Sequence, residues 1–220
     1  MTPPPPRVLY FVRHGQSQAN AGAVTQAHAD IPLTELGRRQ AEALAPLLPP
    51  DPARVLCSPF LRARQTARPY CAKREISPGD CPLLREFETI DPDLIAGMTG
   101  EQRRPVVDAY WNEADPCKRM GAQAETFVEF SGRVQDFMET ELPRLPNATV
   151  LFGHGMWIGM MAWKLLGFGS TGSSEMRGFR RFQLGLPMPN GALYELRELS
   201  PRQWGLRVDA RAMRILLAVR

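Results

Sequence analysis

Val8-Leu9-Tyr10-Phe11-Val12-Arg13-His14-Gly15-Gln16-Ser17 runs from an apolar stretch straight into an arginine, a histidine and a glycine. The stretch does not alternate polar with apolar residues, so it reads as a strand covered on both faces, as in a parallel sheet. Ligands of open α/β sheets gather at the carboxyl ends of the strands, which is where Arg13 and His14 fall. Arginine offers a planar fork to phosphate or carboxylate. Imidazole titrates near neutral pH, which leaves His14 open as nucleophile, base or ligand.

Ala148-Thr149-Val150-Leu151-Phe152-Gly153-His154-Gly155 repeats this pattern. The chain has only three histidines, and two of them close buried strands. If the two strands are neighbours and parallel, His14 and His154 meet. A third short strand, Arg54 to Cys57, leads into Ser58-Pro59, which reads as an N-cap followed by proline at the first helical position. The helix begun there carries Arg62 in its first turn, where a guanidinium beside exposed N–H groups suits an anion. Two histidines could signal a metal, but no pattern such as H-E-x-x-H completes a site. Arg13 and Arg62 on the same edge would repel a divalent cation, so phosphate fits best.

Working outward, Thr34 caps a helix that runs to about Leu48, where Pro49-Pro50 end it. Thr126-x-x-Glu129 is a capping box ahead of Phe127, Phe130, Val134 and Phe137 at helical spacing. Met156 to Leu166 reads as a mainly apolar interior helix, with Trp157, Met160, Met161 and Trp163 in the core. Gly191 to Arg197 and Trp204 to Val208 read as strands paired around Ser200-Pro201. From Ile76 to Gln123 the pattern is irregular, broken by Val106 to Trp111, with Tyr110 and Trp111 open between local core and pocket wall. His28 falls in a polar loop and reads as a surface residue. The basic, apolar tail from Ala210 to Arg220 is expected to dock on the body. The expected fold is α/β: a three-layer α/β/α sandwich with a mostly parallel central sheet. Residues 1–220 are expected to form a single domain, with residues 1–7 a mobile Pro-rich lead-in and about 87–123 a variable insertion or lid.

Composition narrows the classes. The 220 residues suffice for a proper core without staples. Four cysteines lack C-x-x-C spacing and read as free thiols in a reducing compartment. No stretch near the start resembles a signal peptide, and the most apolar run is too short to span a bilayer, so a soluble, cytoplasmic protein with no membrane partner is expected. A net charge of +4 could favour an anionic small molecule but is too slight to argue for nucleic acid. Oligomeric state is open.

Arg13-His14-Gly15, Ser58-Pro59-x-x-Arg62-Ala63-x-Gln65-Thr66 and Gly153-His154-Gly155 occur in this order. Asn20 follows Ser17, and Leu33-Thr34-x-x-Gly37 with Gln40-Ala41, Leu84-Arg85-Glu86 and Pro189-Asn190-Gly191 complete the set. On these motifs the chain resembles the histidine phosphatase superfamily, the phosphoglycerate-mutase-like proteins, over roughly residues 8–197. The resemblance implies a histidine acid phosphatase-type phosphoric monoester hydrolase that is independent of metal and cofactor and acts on a small-molecule phosphate ester. It implies that His14 attacks phosphorus to form a phosphohistidine, which water hydrolyses. Arg13, Arg62 and His154, two arginines and an imidazolium, would grip the phosphoryl oxygens, with Asn20 as a neutral donor and the Gly15 carbonyl on the other nitrogen of His14. Glu86 matches the proton donor, although Glu88, Asp91 and Asp93 follow closely and could take or share the role. Within the superfamily a phosphoglycerate mutase is the first alternative, disfavoured because Trp-Asn and Gly-Trp elements are absent after Ser17. A non-catalytic phosphate-binding or regulatory module is the second.

Overall fold

Strand β1 (Val8–Arg13) is the axis of the molecule in the computed structural model, which describes residues 6–24, 27–186 and 188–219. On one side β1 pairs in parallel with β4 (Thr149–Gly153), which pairs in parallel with β2 (Arg54–Cys57), and β2 with the short β3 (Gly79–Asp80). On the other side it pairs antiparallel with β5 (Leu193–Ser200), which forms a hairpin with β6 (Gln203–Val208). The order is β3-β2-β4-β1-β5-β6, a mostly parallel sheet. The register sets Arg13 opposite Gly153, so the residues that follow them, His14 and His154, leave adjacent strands side by side.

The non-alternating apolar runs are explained by helices on both faces. Leu9, Phe11 and Leu151 face a layer formed by α3 (Gly100–Glu113), α4 (Phe127–Asp136), α5 (Gly155–Leu165) and α6 (Ser173–Gly185). Val12, Val55, Val150 and Phe152 face α1 (Glu35–Leu44), α2 (Leu61–Ala72) and α7 (Ala210–Ala218). Phe11 is fully buried and stacks on Trp157 at 5.1 Å. Burying such a side chain contributes roughly 2–3 kcal/mol. The expected three-layer sandwich is the observed one.

Several local expectations hold and several change. Thr34 caps α1 through the Gly37 N–H, and the helix tightens into a 3-10 turn over Ala45–Leu47 before the prolines. The tail docks: Asp209 caps α7, and Ala212 and Leu216 are buried beside α1. Within the expected lead-in, the Arg7 guanidinium pairs with Glu198 at 2.5 Å and reaches the carbonyls of Pro143 and Leu145; residues 1–5 lie outside the described residues. All four cysteines are free, three of them buried. No helix among the described residues is long and apolar enough to cross a membrane.

The expected insertion is more ordered than its sequence suggested. It holds a 3-10 turn, Pro92–Ile95, and the 14-residue helix α3, started by a capping box between Thr99 and Gln102. Gly100 and Pro105 masked that helix in the sequence. Tyr110 and Trp111 belong to the main core, packed against Phe87, Phe127 and Phe179. The base of the insertion is pinned where Asp91 accepts the N–H of Gln123 and donates its own to the Met120 carbonyl. Gly121 sits there at φ +97, and a Cβ on it would lie 2.3 Å from that of Asp91. The segment is therefore anchored at its base and along its buried face.

Candidate active site

The carboxyl ends of β1, β2 and β4 and the amino ends of α2 and α5 meet at one edge of the sheet. His14 is buried, and its Nδ1 lies 2.7 Å from the Gly15 carbonyl. Since a carbonyl only accepts, Nδ1 carries the proton. Arg62 Nε donates to His14 Nε2 at 3.2 Å, so that nitrogen carries the lone pair. Burial, with Arg62 and then Arg13 nearby, holds His14 well below the ordinary histidine range, although the Gly15 bond opposes the shift. His14 is a neutral imidazole whose electron pair faces cations.

The loop that carries His14 is held by residues of the flanking motifs. Gly15 N–H donates to Thr66 Oγ1 and Gln16 N–H to Gln40 Oε1. A Cβ on Gly15 would lie 2.4 Å from the Gly37 carbonyl oxygen, and one on Gly37 would lie 2.1 Å from that of Gln16. Both glycines are needed because two backbones touch.

Arg62 also donates to the His28 carbonyl at 2.7 Å. Burial is the main cause that pushes its guanidinium down to about 10, which still leaves it charged at neutral pH. Arg13 reaches the Met188 carbonyl through Nη1, while its Nε is buried without a partner. A Cβ on Gly155 would meet that Nε at 3.0 Å, so the glycine after His154 leaves the space that Arg13 crosses. His154 is fully buried, its ring 5.2 Å from that of His14, and its Nε2 lies 2.8 Å from Ser58 Oγ. Burial first, then Arg62, His14 and Arg13, holds His154 well below the usual histidine range.

Glu86 sits over the start of α5. Its carboxylate accepts the N–H groups of Met156 at 3.2 Å and Trp157 at 3.1 Å, as well as that of Phe87. Its charge is felt by both Arg13 and Arg62. Of the neighbouring acids, Glu88 pairs with Arg85 and its charge also reaches Arg62, while Asp91 and Asp93 tie the insertion to Gln123. Asn20 turns its side-chain oxygen to Ser17 and Asn190, and Asn190 Nδ2 reaches the His14 and Gly15 carbonyls at 3.4 Å. Asn20 is thus joined to the loop and exposed at its rim.

The structure brings together Arg13, His14, Arg62, Glu86 and His154, with Asn20 at the edge. Two residues had other readings in the sequence. Ser58 is not the cap of α2, which begins at Leu61 with no side-chain cap; its hydroxyl serves His154. His28 is not a plain surface residue, because its carbonyl takes Arg62 and its ring bonds the Ile90 carbonyl of the insertion. Neither role had a local signal, since both depend on contacts across the fold.

Similarity to other proteins agrees with this arrangement. The model of the histidine phosphatase superfamily (branch 1) matches residues 9–204. An adenosylcobalamin/α-ribazole phosphatase of Salmonella typhi is 36% identical over 135 residues, which is 59% of this chain. The chain spans 64% of that relative's length. A probable phosphoglycerate mutase of Yersinia pestis is 27% identical over 177 residues, 77% of this chain and 79% of that protein. The crystal structure of the α-ribazole phosphatase from Shigella flexneri superposes with a TM-score of 0.68 at 25% identity, covering 91% of this chain and 95% of that one. With the family model matched across nearly the whole sheet and both histidine-bearing strands, the chain belongs to the histidine phosphatase superfamily.

Proposed function

We propose that this protein is a metal-independent phosphomonoesterase that works through a phosphohistidine on a small phosphorylated metabolite. The observation that carries the reading is the state of His14: a neutral ring, protonated on Nδ1, with the Nε2 electron pair directed among cationic groups. A phosphoryl group drawn to Arg13 and Arg62 would meet that electron pair. His14 Nε2 forms the bond to phosphorus as the ester P–O bond breaks. Glu86, in its acid form, hands its proton to the departing oxygen, which would otherwise leave as a poor alkoxide group. Water then attacks the phosphohistidine, Glu86 takes its proton, and inorganic phosphate leaves with His14 restored. Charge on the three peripheral oxygens is met by fixed donors from Arg13, Arg62 and His154, placed before the reaction begins.

The α-ribazole phosphatases among the relatives act on a phosphate ester, which supports hydrolysis and a small-molecule substrate. The mutase-named relative supports phosphoryl return to a sugar acid as the competing outcome of the same intermediate. One assay separates them. Purified protein in excess chelator should release phosphate from an aryl phosphate, and should convert 3- to 2-phosphoglycerate far more slowly than it hydrolyses esters. Loss of hydrolysis on chelation would overturn the metal-free reading, and isomerisation at rates rivalling hydrolysis would establish a mutase.

A further inference from the structure

Ser58 directly follows β2 and has no exposed surface. Its backbone N–H goes to the Phe152 carbonyl at 2.9 Å, and its hydroxyl oxygen accepts the Phe60 N–H at 3.3 Å. A hydroxyl has one proton to give. His154 Nε2, at 2.8 Å, is the acceptor that the geometry offers for it. If that proton points to Nε2, then Nε2 carries the ring's lone pair and the proton of the neutral imidazole sits on Nδ1. Nδ1 is the ring atom buried with no hydrogen-bond partner among the described residues. The ring cannot easily turn, since Phe60 and His14 both pack edge-on against it at 5.2 Å.

We infer that Ser58 is a positioning residue that holds His154 as its Nδ1–H tautomer, so that a neutral ring presents a donor to a phosphoryl oxygen. The other neutral tautomer would turn a lone pair toward the anion and weaken the site. His14 has the reverse arrangement: a carbonyl takes its Nδ1–H and leaves the lone pair on Nε2, where it accepts the Arg62 Nε–H. Two rings 5.2 Å apart are thereby set to opposite tasks by two different partners, a carbonyl and a hydroxyl. The catalytic consequence rests on the hydrolase reading above, but the tautomer is a property of the resting protein and is measured without substrate.

Nitrogen-15 NMR of histidine-labelled protein reads it, and with three histidines in the chain the spectrum can be assigned. The expected result is a protonated Nδ1 and a bare Nε2 for His154. Ser58→Ala should give a mixture of tautomers and lower kcat on an aryl phosphate by about tenfold, a modest loss because the ring and the arginines stay in place. Ser58→Thr keeps the hydroxyl and should restore both readouts, which a purely structural role for Ser58 does not require of the tautomer. A wild-type His154 protonated on Nε2 overturns the inference, as does Ser58→Ala with unchanged tautomer and kcat. Wild-type protein with the expected tautomer but no turnover supports the assignment and overturns the hydrolase reading instead.

Discussion

Single residues in this site are defined by what their second atom touches. His14 is a nucleophile candidate because Gly15 occupies its other nitrogen, and Arg13 can cross the site because Gly155 has no side chain. Glu86 joins two roles, since the carboxylate placed near the arginines also accepts two N–H groups of α5. Glu86→Gln should therefore show two effects. Turnover of alkyl phosphates should fall by two or more powers of ten, as expected when a general acid is removed, while aryl phosphates with good leaving groups lose much less. Stability should fall by about 1 kcal/mol, because an amide has one acceptor where the carboxylate had two and lacks its charge at a helix N-terminus. Steady-state kinetics on a matched ester series tests the first effect; equal losses across the series would remove Glu86 from the acid role.

Secondary-structure elements were legible where one signal settled them. The β1 and β4 runs read as buried strands because helices cover both faces, and Thr34 and Thr126 marked helix starts through their own side chains. Ser58-Pro59 has the composition of a cap, yet α2 starts at Leu61 and the Ser58 hydroxyl meets a residue far along the chain, His154. Helix α3 is hidden in the sequence although Thr99 and Gln102 form a capping box, because Gly100 and Pro105 weaken the helical pattern around it. Close approach between α1 and the His14 loop gives a test at this scale. Gly37→Ala must push the helix from Gln16 and should cost about 3 kcal/mol in urea unfolding, with activity lost as the loop shifts. Gly132→Ala, on an exposed face of α4 with nothing near its Cβ, should instead stabilise by up to about 1 kcal/mol.

Across the whole molecule the sheet order explains why motifs so distant in sequence form one pocket. Placing β4 between β1 and β2 brings the residues after Arg13, Cys57 and Gly153 to a common edge. The sequence could name His14, Arg62 and His154 from their strand and helix ends, whereas the Ser58 and His28 contacts required the pairing of strands and the placement of the insertion. The pocket also affects global stability. Both histidines are held neutral in the folded protein, with pKa values well below the ordinary 6.5 they regain on unfolding. Below pH 6.5 the unfolded chain binds protons that the native state refuses, so stability falls with acid until the lowered native values are reached. Each ring contributes a slope of up to about 1.4 kcal/mol per pH unit. Urea midpoints measured from pH 8 to 5 should be flat above about 6.5 and drop below it, and His154→Gln should make the drop shallower. The central claim, covalent transfer to His14, is tested most directly by mixing enzyme with an aryl phosphate, quenching within milliseconds in alkali and mapping the modified peptide by mass spectrometry. The account predicts an acid-labile, alkali-stable phosphoryl group on His14 that is absent in His14→Ala; turnover with no phosphorylated His14, or with undiminished activity in that variant, would contradict it.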